Sequence, residues 1–148
     1  MGFFNSLVWQ KNDPKEDVSR FEKMIQMQKE QLFGISLYFR GIELMYSEQP
    51  EIIQMNLQSF VNIRERTEDS IAAAESLLLE VKRDPSKAKK LKGFKFPPTT
   101  GHPMLDQMTE RVEIILRTYE QLFPGRSKSQ SLNQEELMKL MMEASKQL

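Results

Sequence analysis

The chain has no cysteine and a single histidine, His102. Without cysteine there are no disulfides, no thiolate nucleophile and no cysteine-ligated metal site. With one histidine there is no histidine-rich metal cage and no two-histidine dyad. Long apolar runs are also missing. The uninterrupted ones are a few residues long, such as Leu77-Leu78-Leu79, whereas a membrane-spanning helix needs about 20 mostly apolar residues. The apolar opening, Met1 to Trp9, lacks the basic leading region and small-residue cleavage site of an export signal. With neither cysteine nor such a signal, the expected location is the cytoplasm, with membrane association as the alternative.

Glycine is sparse too. The six glycines are scattered and build no phosphate-cradling loop, and no G-x-S-x-G nucleophile elbow occurs. A di-metal helical bundle would need Glu-x-x-His pairs, but His102 lies in Thr100-Gly101-His102-Pro103 with no glutamate three residues earlier. Glu65, Glu68 and Asp69 are interspersed with Arg64 and Arg66, the pattern of a solvated, ion-paired helix face. The expectation is a non-enzymatic protein with no cofactor and no metal.

The 148 residues suffice for about one domain with a real core. Their hydrophobic spacing is helical. Asp13-Pro14-Lys15-Glu16 reads as a helix start, with a capping acceptor, proline at the first helical position and glutamate at the third. From there Val18, Phe21, Ile25, Leu32, Ile35, Phe39, Ile42 and Tyr46 recur in alternating steps of three and four, with Gln28 in the polar slot. After Ser47-Glu48-Gln49-Pro50, a second helix runs to about Arg83 with the seam Ile53, Leu57, Phe60, Arg64, Thr67, Ile71, Ala74, Leu78 and Val81. Asp84-Pro85 ends it. So short a connection folds the two helices back as an antiparallel hairpin, each arm about 50 Å long.

A third helix is expected from near Pro103 to Leu122. A fourth is expected after Ser131, with Ser131 as its cap and Gln134 three residues on. The predicted fold is all-α, an elongated antiparallel hairpin completed to a three- or four-helix bundle. Its parts are an apolar peptide over 1–12, a bundle over 13–123 that includes a basic linker at 84–102, and a flexible loop with a C-terminal helix over 124–148.

Three features could carry a binding function. The first is the basic segment Lys82, Arg83, Lys87, Lys89, Lys90, Lys92 and Lys95, opposed by Asp84 alone and followed by Phe94 and Phe96. It suits an anionic partner or lipid surface, or it is a solvated linker pinned to the bundle by its two phenylalanines. Nucleic acid is a weaker candidate, because the chain balances 21 cations against 21 anions. The second is the N-terminal peptide, whose Phe3, Phe4, Leu7 and Trp9 could meet a partner, a membrane interface or the bundle itself. The third is the polar set Gln28, Arg64 and Thr67, which would fix seam register. Gly34 and Gly41, seven residues apart, would admit a closely approaching helix. The methionines of the last two helices either fill an irregular core or form an adaptable groove. Together these predict a helical interaction or scaffold protein that associates with itself or joins a larger complex. The alternative is a peripheral binder of anionic surfaces.

Overall fold

The computed structural model describes residues 14–96, 103–128 and 130–147. Among them all regular structure is helical: α1 (Pro14–Met45), α2 (Pro50–Arg83), a 3-10 turn (Pro85–Lys87), α3 (Lys89–Gly93), α4 (Pro103–Leu122) and α5 (Gln134–Ser145). The all-α expectation holds, and α1, α2 and α4 begin at the three prolines that mark their starts in the sequence.

Two local features differ from the sequence reading. The basic stretch after α2 is partly helical. Asp84 is extended and accepts hydrogen bonds from Ser86 N and Ser86 Oγ, at 3.2 and 2.6 Å. Pro85 supplies a helical φ at the next position, and Ala88 and Leu91 turn inward to be buried. The second correction concerns α5, whose cap is Asn133 and not Ser131. Asn133 Oδ1 accepts from Glu136 N at 2.8 Å, and Glu136 Oε1 accepts from Asn133 N at 3.0 Å. This reciprocal pair satisfies two backbone donors that Ser131 could not reach.

The chain divides into two compact units, Met1–Glu30 with Arg66–Pro97 and Gln31–Glu65 with Pro98–Leu148. In the first, α1 and α2 run antiparallel, as the pairs Glu22–Lys82 (3.9 Å) and Lys29–Glu75 (3.7 Å) require. Its core is drawn from the heptad seam: Phe21, Ile25, Ile71, Ala74, Leu78 and Val81 are buried, as are Ala88 and Leu91 of the segment after α2. Gln28 and Thr67 are also buried here.

In the second unit the aromatic rings of α1 and α2 interleave. Phe60 lies 4.8 Å from Phe39 and 5.4 Å from Tyr38, centroid to centroid. Helix α4 contributes Val112, Ile115 and Tyr119, and α5 contributes Leu137, Leu140, Met141 and Ala144, to the same core. Leu37 and Tyr38 lie outside the heptad seam yet are buried, because α1 here is covered by α4 and α5 as well as by α2. A two-helix seam needs one narrow stripe, and a multi-helix core needs a wider one.

The glycines of α1 show how close this packing is. A Cβ added at Gly34 would lie 2.6 Å from Val112 Cγ1, and one at Gly41 would overlap Met141 Sδ. α4 and α5 therefore approach α1 where it carries no side chain.

Candidate interaction surfaces

The basic segment belongs to the first unit and is folded against it. Phe94 and Phe96 each lie 5.5 Å from the Phe21 ring and 4.9 Å from one another. Most of its cations face carboxylates. Lys87 and Lys90 both reach Glu80 Oε1, at 3.1 and 2.9 Å. Lys82 pairs with Glu22 at 3.9 Å, and Lys92 with the buried Asp17 at 3.9 Å. The hydrogen bonds from Lys90 and Lys87 hold the Glu80 carboxyl below its ordinary pKa. Those from Ser86 do the same for Asp84. The remaining three, Arg83, Lys89 and Lys95, are exposed and make no ion pair among the described residues. Arg83 lines a shallow recess with Leu79, an apolar residue that is 57% exposed.

The second unit carries two apolar openings. Their framework is the loop before α5. Arg126 pairs with Glu136 and donates to Ser131 O at 3.2 Å. Together with the Asn133 amide, Arg126 holds the Glu136 carboxyl below its ordinary pKa. Arg40 Nη2 donates to Leu132 O at 3.0 Å, and Lys128 reaches Glu120 at 3.5 Å. Buried Leu132 anchors the segment in the core.

With its start fixed, α5 turns Leu137, Leu140, Met141 and Ala144 inward. Its outer face leaves Met138 and Met142 exposed, at 36% and 58%. The two line an apolar groove with Gln134, Glu135, Lys139 and Glu143. Methionine thus serves both uses: Met141 fills the core, while Met138 and Met142 face out.

The other opening is a cleft of about 210 Å³ between α1 and α2. Ile35, Phe39 and Phe60 form its apolar lining, and Arg40, Glu43 and Arg64 its charged rim. A neighbouring recess of about 170 Å³ shares Ser36 and Arg40 with it and extends to Leu132. Here the structure corrects the seam. Gln28 and Thr67 are buried, but Arg64 is exposed. A guanidinium loses too much hydration in an apolar seam, and a straight helix drifts out of a strict heptad register. The cleft itself has no sequence signature. It exists because Phe39 is only partly covered where α1 and α2 meet.

Phe3, Phe4, Leu7, Trp9 and His102 lie outside the described residues. Among the described residues no cluster of histidine, aspartate or glutamate has the arrangement of a metal site, and no helix is long and apolar enough to cross a membrane. No family model matches the chain, and neither a curated protein nor a solved structure matches it.

Proposed function

We propose that this chain is a non-enzymatic helical interaction protein that associates with itself or takes its place in a larger assembly. The observation that carries this reading is the outer face of α5. Met138 and Met142 stand one turn apart, exposed, on a helix whose other face is fully used by the core. Methionine adapts its shape to a partner surface at little cost, and paired exposed methionines are a common contact chemistry. Light scattering on the full chain from micromolar to millimolar concentration tests self-association. A dimer or larger species supports it, and a monomer throughout refutes it.

A second reading, a peripheral binder of anionic surfaces, draws on the exposed cations Arg83, Lys89 and Lys95, with Arg83 beside the exposed Leu79. Cations next to an exposed apolar side chain suit a negatively charged membrane face. Vesicles containing phosphatidylserine should then sediment the chain at low salt, less so at high salt, and less again after removal of residues 1–12. A chain that ignores such vesicles at low salt ends this reading.

A further inference from the structure

We infer that Lys92 to Phe96 form a strap that closes over Phe21 in the free chain and opens onto an anionic membrane surface. The inference rests on the anionic-surface reading and assigns the part of the chain that enters the lipid interface.

The strap follows directly on Leu91, which is fully buried and fixes its root. Beyond that point two kinds of contact hold it against α1. Phe94 and Phe96 each lie 5.5 Å from the ring of Phe21, which has no exposed surface. Lys92 Nζ lies 3.9 Å from Asp17 Oδ2. The second contact is a poor one. Asp17 is only 4% exposed, and its Oδ1 is buried with no hydrogen-bond partner. Among the described residues Lys92 is the one cation within 4 Å of that carboxylate, and 3.9 Å is too long for a hydrogen bond. A carboxylate that has lost its water needs close, hydrogen-bonded compensation. Asp17 lacks it, so the closed strap carries a desolvation penalty that opening removes.

The strap and its root have the composition of a membrane contact. Lys89-Lys90-Leu91-Lys92-Gly93-Phe94-Lys95-Phe96 holds four cations and no anion. Phe94 and Phe96 are only half-buried, and Lys89 and Lys95 are exposed. At a surface rich in phosphatidylserine, each lysine near the headgroups adds attraction, and aromatic side chains settle at the headgroup–acyl boundary. On opening, Lys92 exchanges one distant carboxylate for lipid phosphates, and Asp17 regains water. A surface shifts a conformational equilibrium only if it binds the two forms differently. Here the open form alone presents Lys92 and both rings together. Away from the membrane, the uncovered Phe21 draws the strap shut.

Position 94 reports the movement. In a Trp9→Phe background, Phe94→Trp gives the full chain a single indole, and far-UV circular dichroism verifies that helix content is kept. Vesicles of phosphatidylserine with brominated phosphatidylcholine should quench that indole at low salt. Vesicles of brominated phosphatidylcholine alone should not. Asp17→Asn, made in the parent chain, removes the charge that holds Lys92. It should strengthen sedimentation with the phosphatidylserine vesicles about fivefold, the effect of one more lysine reaching the surface. Asp69→Asn removes an exposed anion of the same unit and should have a far smaller effect, which separates release of the strap from net charge. If the chain sediments with the vesicles but the indole stays unquenched, or the two variants bind alike, the inference is overturned and the anionic-surface reading stands. Equal quenching by vesicles without phosphatidylserine overturns it too. If the parent chain ignores the phosphatidylserine vesicles at low salt, the reading itself fails and takes the inference with it.

Discussion

Replacing Gly34 by alanine sets two effects of opposite sign against each other. Alanine favours the helix over glycine by about 1 kcal/mol in a helix interior. The new methyl, however, would lie 2.6 Å from Val112 Cγ1 and 2.9 Å from Leu116 Cγ. Neither neighbour yields easily. Val112 is fully buried, and a β-branched side chain on a helix has one strongly preferred rotamer. Overpacking of this kind costs about 1–3 kcal/mol. The difference is a net loss of up to about 2 kcal/mol, which in a chain of this size lowers Tm by about 2–4 °C per kcal/mol. Urea denaturation of the wild type and variant measures the change. The same substitution in a Val112→Ala background removes the nearest obstacle, so its cost should fall by about 1 kcal/mol or more. An increase in wild-type stability by the whole propensity gain would refute the close approach of α4 to α1.

Four further outcomes follow from the same packing. Gly41→Ala should cost less than Gly34→Ala despite its overlap with Met141, because the flexible thioether can swing aside; paired denaturation curves compare them. Phe21→Ala, at a site that is fully buried beneath Phe94 and Phe96, should cost about 3–5 kcal/mol, whereas Phe39→Ala, at the partly covered cleft, should cost less. Asn133→Ala should cost about 1 kcal/mol through loss of the α5 cap, read as reduced stability and faster amide exchange in the first turn of α5. Finally, Lys90 and Lys87 hold the folded-state pKa of Glu80 below its ordinary value of 4.5. The folded chain therefore binds that proton less readily than the unfolded chain. The stabilisation is fully present above about pH 4.5 and is lost as pH falls through the lower folded value. The Tm difference between wild type and Glu80→Gln should accordingly close on acidification below that pH.

The helical skeleton is legible in the sequence because its punctuation is local. Pro14, Pro50 and Pro103 mark starts and Asp84-Pro85 a stop, and spacing picks out buried seam positions such as Phe21, Ile25, Ile35, Phe60, Ile71 and Val81, though not the exposure of Arg64. The start of α5 is less legible, since Ser131 and Asn133 are both acceptable caps and only the reach of Glu136 decides between them. The burial of Leu37 and Tyr38 depends on α4 and α5, distant in sequence, covering a second side of α1. The basic segment shows the limit of reading charge in one dimension. Its seven cations are a run in the sequence, but Lys82, Lys87, Lys90 and Lys92 face carboxylates on α1 and α2. The cleft is the least legible feature of all, because it is set by how far two helices stand apart and no single residue encodes that distance.

The exposed methionines of α5 make the proposed self-association directly measurable. Met138→Lys and Met142→Lys together replace the exposed apolar side chains of α5 with charge and leave the buried Leu137, Leu140, Met141 and Ala144 in place. Sedimentation equilibrium should therefore show the parent chain associating and the double variant associating about tenfold or more weakly. A double variant that associates as well as the parent chain, or a parent chain that is monomeric throughout, would contradict the role given to the outer face of α5.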